Sequence, residues 1–181
     1  MKFCYACGSP LIMKDLEHEG EVAYCEQCRQ YRFPIYHSAV SMVVLNPNED
    51  KILMIQQYGK KDNILVAGYI NQKESAEEAL KREMKEEIGR SILKQRFMRS
   101  EYFPKTNTLI WNFAVVIDSE DLSQVSDWEV DKAQWFSFEE AITQVKPDSL
   151  AQRFLNNFLQ EYKIKSFGGA VKNCIAKCFL W

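Results

Sequence analysis

No apolar run among the 181 residues approaches the length that crosses a bilayer, so a membrane-spanning helix is not expected. Charge of one sign is also missing: 23 Lys and Arg against 25 Asp and Glu leave a net charge of -2. Without a basic excess, nothing argues for a nucleic-acid partner, and no charge run is long enough to be a tail. The start, MKFCYACGSP, has one lysine and no apolar core segment, so no secretory signal is expected. Internal repeats and low-complexity segments are absent too. What is there, at 46% hydrophobic, suffices for one full core and a small satellite module. Six cysteines without an export signal fit a reducing, cytoplasmic setting better than disulfides, and they turn attention to metal.

Four of those cysteines come in two pairs, Cys4-x2-Cys7 and Cys25-x2-Cys28, with seventeen residues between them. That spacing matches a four-cysteine zinc ribbon over residues 1–34, where two tight turns each offer two thiolates to one tetrahedral Zn²⁺. Zinc would there staple a module too small to hold a core. Catalytic zinc is disfavoured because four thiolates leave no open position for water. A ribbon gripping nucleic acid is disfavoured by the acidic DLEHEGE between the pairs.

From residue 35 the composition changes. HSAVSMVVLN and KILMIQQY read as strands joined by the turn-rich PNED, and NILVAGYI is a third apolar run. RFMRSEYF and TLIWNFAVVID follow as strands, the second nearly all apolar and so expected inside a sheet. AQWFSFEEAITQV reads as a strand running into a helix. DSLAQRFLNNFLQEY reads as a long amphipathic helix capped by Asp148 or Ser149. Layer logic makes this an α/β sandwich over 35–162 with a mixed sheet. The tail, 163–181, contains a Gly168-Gly169 break and places Cys174 and Cys178 four apart. It has too few ligands for a metal site, and docking onto the body or a partner subunit is the better expectation.

The unusual segment is LKREMKEEIG, residues 80–89. Projected as an α-helix from Ala76 at about 100° per residue, Leu80, Met84 and Ile88 form one apolar stripe. Glu87 and Glu83 fall within about 20° of Ala76, at the edge of that stripe, with Glu86 close behind. Like charges beside a surface meant for burial repel and suffer desolvation, so they call for a partner. Carboxylates at i, i+3 and i+4 lie close enough to share a hard divalent ion such as Mg²⁺ or Mn²⁺. The alternative is a solvated helix whose glutamates pair with lysines.

Outward from this helix stand Gly68, five residues, Glu74, seven residues, then Arg82-Glu83-Met84-Lys85-Glu86-Glu87-Ile88-Gly89. The pattern resembles the signature of the Nudix hydrolases, matching every fixed position except the last, where Arg90 replaces an apolar residue. The resemblance implies a Nudix-type α/β/α sandwich that splits a nucleoside diphosphate linked to another group. It implies Glu83, Glu86 and Glu87 as ligands of the divalent ions, one of them helping to activate water. Arg82 and Glu74 would orient the glutamates as a helix-to-loop ion pair. The backbone carbonyl of Ala67 would add a ligand, as would a carboxylate from SDWEVDKAQWF. Glu129 fits that last place best, with Asp127 and Asp131 as rivals.

A four-cysteine module directly before such a domain is similar to the NADH pyrophosphatase branch, which cleaves NAD(H) to a nicotinamide mononucleotide and AMP. That branch carries Ser-Gln-Pro-Trp-Pro-Phe-Pro-x-Ser after the helix, where this chain has SEYFPKTNT. The resemblance implies substrate contacts from Glu101, Phe103, Pro104, Thr108 and, on the later helix, Ala151, though only Ser100 and Pro104 match outright. Phe103 keeps an aromatic, and Thr108 keeps a hydroxyl. Tyr102 and Phe103 read equally well as core residues of an edge strand. The resemblance further implies a homodimer acting on a small nucleotide. ADP-ribose, a nucleotide sugar or an RNA 5′ end remain alternative substrates, and a non-catalytic nucleotide sensor keeping the fold remains an alternative class.

Overall fold

The computed structural model describes residues 2–167. The chain divides into two compact units, one ending at Tyr36 and one beginning at His37. The first is a three-stranded antiparallel sheet of β1 (Ile12–Leu16), β2 (Gly20–Cys25) and β3 (Gln30–Arg32), in that order. Its only buried residues among those described are Cys4, Cys25 and Arg32, so the module has almost no apolar core.

The second unit carries β4 (His37–Leu45), β5 (Lys51–Gln56), β6 (Val66–Tyr69), α1 (Ala76–Glu83), β7 (Ile92–Phe103), β8 (Thr108–Ile117), β9 (Lys132–Ser137), α2 (Phe138–Gln144) and α3 (Leu150–Phe167). The sheet runs β7-β8-β4-β5-β9, with β6 paired to β4. It is mixed, as expected: β4 and β8 are parallel and every other pairing is antiparallel. The apolar β8 lies inside it, between β7 and β4.

Alternation along the inner strands sorts the core into two layers. Val40, Met42, Val44, Phe113 and Val115 pack under α1, while Val43, Leu45, Ala114 and Val116 pack under α2 and α3. The result is the α/β/α sandwich that the Nudix resemblance implied. The β4–β5 hairpin pairs only at Val44–Leu53 and Leu45–Ile52. That leaves the first half of the same β4 edge to β6, from Ala39–Tyr69 to Met42–Val66. This shared edge brings Gly68, a residue of β6, under α1.

Ser75 caps α1: its hydroxyl accepts from the Glu78 N–H and its own N–H donates to the Glu78 carboxylate. The expectation of an α-helix through to Gly89 is corrected. The α-helix ends at Glu83, and Met84–Ile88 form a π-helical turn closed when the Gly89 N–H reaches the Met84 and Lys85 carbonyls. Gly89 has φ 74, and a Cβ there would meet Gln124 at 2.5 Å, so a glycine is needed on both counts. Ser149, rather than Asp148, caps α3 by accepting from the Gln152 N–H. The tail from residue 168, with Cys174 and Cys178, lies outside the described residues.

Candidate active site

Leu80, Met84 and Ile88 are fully buried under α1 and its π turn. That apolar stripe rolls the helix until Glu83 and Glu87 are buried as well, whereas the Glu86 side chain stays half-exposed. Glu83 lies flat against the backbone of Gly68, and Ala67 is the next residue along β6. Arg82 ties the group together. Its Nε and Nη2 donate to the two Glu74 oxygens at 2.8 and 3.0 Å, and its Nη1 donates to Glu83 at 2.6 Å and Glu86 at 2.9 Å. A further bond from Nη2 to the Tyr69 carbonyl anchors the guanidinium to β6. Glu74 accepts from the Asn71 N–H, so the pair is locked to the loop before the helix. The same contacts hold the Glu74 carboxyl below its ordinary range, Arg82 being the main cause.

Glu87 is held differently. Burial, and then the charges of Glu129 and Glu83, push its carboxyl up to about 8, against a hydrogen bond from Gln57. Its Oε2 is buried without a hydrogen-bond partner. Burial also raises Glu83. The Glu129 charge thus reaches Glu87, Glu83 and the hydroxyl of Tyr58. Its rival Asp131 is otherwise engaged, accepting the Gly59 N–H at 2.7 Å. The Ser126 N–H donates to the Glu87 carbonyl, so the loop carrying Glu129 is fastened directly to the π turn. Gln57 and Tyr58 were missed from sequence. Tyr58 is exposed with φ 57, an uncommon backbone for a tyrosine, and only the fold brings it beside the glutamates.

A buried carboxylate oxygen with no donor, beside two more carboxylates, suits a hard cation, and no lysine neutralises Glu83 or Glu87 among the described residues. The glutamate oxygens are nonetheless not gathered within 4.8 Å of one another; among the described residues only the cysteine sulfurs are. Arg82 Nη1, inserted between Glu83 and Glu86, accounts for part of that separation.

In the small unit, Cys4, Cys7, Cys25 and Cys28 converge from the two turns, with Sγ–Sγ distances of 3.9 Å for Cys4–Cys28 and 3.5 Å for Cys7–Cys25. All four are free thiols positioned for a metal ion. The Cys28 N–H donates to the Cys25 sulfur, and the buried Arg32 donates to Cys4 at 3.2 Å. Arg32 is the main reason the Cys4 thiol is drawn down to about 6. Its guanidinium also stacks on Tyr5.

Among the residues expected at the nucleotide, Glu101 and Ala151 lie on the α3 side of the sheet. Glu101, on the α3 side of β7, is bound by Arg153 at 2.5 Å. Phe103 pairs with Thr108, whose buried hydroxyl is bonded to Thr106, and Pro104 opens an exposed 3-10 turn. Ala151, in the first turn of α3, is partly buried and packs against the core. On the opposite face, under the start of α1, lies a cavity of about 540 Å³ lined by Phe97, Trp111 and Phe113, none of which sequence reasoning singled out. Arg90, the one departure from the Nudix pattern, donates to the backbone and carboxylate of Asp121, fixing the loop that follows β8.

Comparison with known proteins agrees with this geometry. A family model, the NUDIX domain, matches residues 35–158. Curated relatives include the NAD-capped RNA hydrolases NudC of Salmonella schwarzengrund, 27% identical over 158 residues, and of Salmonella paratyphi C, 26% identical. Each alignment covers 86% of this chain and 59% of the relative, so the chain spans about three-fifths of their length. Among solved structures, a NUDIX hydrolase from Nitrosomonas europaea superposes with TM-score 0.61 at 18% identity, over 91% of this chain and 93% of that one. A MutT structure from work on Aliivibrio salmonicida and Vibrio cholerae gives 0.57 at 16% identity, over 70% and 99%. With the family model spanning most of the second unit, the chain belongs to the Nudix family.

Proposed function

We propose that this Nudix protein hydrolyses the diphosphate of a nicotinamide dinucleotide, NAD(H), to AMP and a nicotinamide mononucleotide. The observation that carries the reading is the buried, donorless Oε2 of Glu87 beside Glu83 and the Glu129 loop. Glu83, Glu86, Glu87 and Glu129, with the carbonyl of Ala67, would hold Mg²⁺ or Mn²⁺. When bound, such an ion neutralises the diphosphate and lowers the pKa of water. Arg82, braced by Glu74, orients Glu83 and Glu86. Glu87, having given up its own proton when a cation binds, would take the proton of the attacking water as the water oxygen bonds to one phosphorus and the bridging P–O bond breaks. The free thiols of the first unit would take one structural Zn²⁺, in a cytoplasmic setting that keeps them reduced. We take the chain as a ribbon over 1–34, a catalytic domain over 35–162 and a tail over 163–181, assembling as a homodimer.

The relatives' name gives one specific reason for a second reading, in which the same diphosphate is presented as the NAD cap of an RNA 5′ end. Incubating the protein with Mg²⁺ or Mn²⁺ and NAD⁺, NADH, ADP-ribose or NAD-capped RNA, and quantifying AMP or decapped RNA, separates these substrates. Turnover of NAD(H) that Glu87→Gln abolishes supports the proposal. Turnover of ADP-ribose alone would replace the substrate, and tight binding without turnover would make the protein a sensor.

A further inference from the structure

The cavity under the start of α1 has a composition unlike that of a phosphate site. Phe97, Trp111 and Phe113 present three aromatic rings, with Phe97 centred 6.0 Å from Trp111 and 5.5 Å from Phe113. Ser38 and Ile70 form its floor, and the Trp111 indole N–H donates to the Ser38 hydroxyl, fixing the ring plane. The charged side chains lining it are Glu74 and Glu77, with no lysine or arginine among them. Glu74 is matched by Arg82, which leaves the Glu77 carboxylate as the net charge at the rim. Aromatic faces are electronegative, and tryptophan is the strongest of them for a cation. A flat cation is attracted by both the rings and Glu77, whereas a phosphate is repelled by both.

Position fits a part of the proposed substrate. Ile70 continues the β6–β4 ladder two residues beyond Gly68, its N–H donating to the Ser38 carbonyl, so the cavity floor begins about 7 Å along the strand from the residue that abuts Glu83. Its volume of about 540 Å³ falls within the range of small-ligand sites, roughly 300–1,000 Å³, and exceeds that of a single ring.

We infer that this aromatic cavity receives the cationic pyridinium ring of an oxidised nicotinamide nucleotide, with the diphosphate directed toward the glutamates. The inference rests on the nicotinamide dinucleotide reading above and adds to it which half of the substrate lies here and a preference for its oxidised form. Uncharged purine and reduced nicotinamide rings lack the charge that Glu77 and Trp111 select.

The test uses the full chain loaded with zinc. Nicotinamide mononucleotide, its reduced form and AMP are titrated separately while the Trp111 indole N–H is followed by NMR, and steady-state hydrolysis of NAD⁺ and NADH is measured in parallel. Oxidised nicotinamide mononucleotide should shift the Trp111 signal, with the reduced form and AMP at least tenfold weaker. Ala76→Phe, which fills the cavity, and Phe97→Ala, which opens a partly exposed wall, should each weaken that binding and raise KM for NAD⁺ about tenfold with kcat little changed. Glu77→Gln should narrow the preference for the oxidised form. An unshifted Trp111 signal, equal binding of AMP, or an unchanged KM in the filled variant would overturn the assignment even if Glu87-dependent hydrolysis persists. Binding that follows the expected order in a protein that cleaves no nicotinamide dinucleotide would keep the cavity assignment and overturn the reaction.

Discussion

Gly68 and Glu83 lie so close that a Cβ on Gly68 would stand 1.9 Å from the Glu83 carboxyl carbon and 2.1 Å from its Oε1. The first residue of the family signature is therefore a space left for a carboxylate, rather than a turn requirement; Gly68 is in a strand and is not among the glycines of positive φ. Gly68→Ala should leave the sheet folded but displace Glu83, and a shift of about 1 Å in a reacting group can cost about 10²-fold in rate. Circular dichroism with kcat for NAD⁺ checks this; an alanine variant of full activity would show that Glu83 needs no such placement.

Arg82 serves Glu74, Glu83 and Glu86 at once, so its geometry matters beyond its charge. Arg82→Lys keeps the charge yet cannot span all three carboxylates. Loss of an orienting partner costs about 10–100-fold in metal affinity or activity. Measuring the Mn²⁺ dependence of turnover in Arg82→Lys, Glu74→Gln and the double variant should give strongly non-additive losses, since both residues act through one ion pair.

Glu87 predicts a pH effect on stability. Its carboxyl sits at about 8 in the fold against an ordinary 4.5, so the folded chain keeps a proton that the unfolded chain releases. In chelator, stability should therefore fall as pH rises from about 4.5 to about 8 and level off above. Denaturant melts across that range read the slope. Glu87→Gln should flatten it and be the more stable protein at pH 8, while losing turnover. Metal binding should release a proton below pH 8.

Glu129 and Asp131 are two residues apart but have different work. Glu129→Gln removes a charge that raises Glu87, so the midpoint of that stability slope should move down and the Mn²⁺ requirement should rise about 10–100-fold. Asp131→Asn weakens its bond to the Gly59 N–H and should cost about 1 kcal/mol of stability or less. If Asp131→Asn instead produced the higher Mn²⁺ requirement, the loop ligand would have to be reassigned.

The small unit has almost no apolar core, so its strands should depend on metal. Metal analysis should find one zinc per chain, and stripping it should abolish the signals of β1 to β3. Arg32→Gln removes the main support of the Cys4 thiolate and should raise the competing chelator's share of zinc about tenfold or more.

Much of the site was legible because its chemistry is local in the chain. Arg82, Glu83, Glu86 and Glu87 lie within six residues, and Glu74 and Gly68 stand at fixed distances before them, so spacing alone links them. The cysteine pairs are legible for the same reason: two short turns fix each pair, and few other uses of the pattern suit so small a module. The winding of Met84–Ile88 was not legible, because α and π turns share the same local residues and differ by where Gly89 finds its carbonyl. Which face the expected pocket residues line was not legible. Glu101 and Phe103 share a strand with Phe97, yet the register shift between Phe97 and Arg99 breaks simple alternation, so a motif read along the chain does not say which face it lines.

By itself the sequence determined the class of chemistry, the signature that holds the acidic cluster and the contrast between a four-cysteine segment and a sandwich domain, because each follows from spacing along one segment. Only the tertiary structure decided the rest: that Gly68 abuts Glu83, that burial and the Glu129 charge raise the Glu87 carboxyl, and that Phe97, Trp111 and Phe113 line one cavity. Those facts depend on strand order and register, which bring together residues far apart in the chain, and on burial, which sets how strongly one charge feels another.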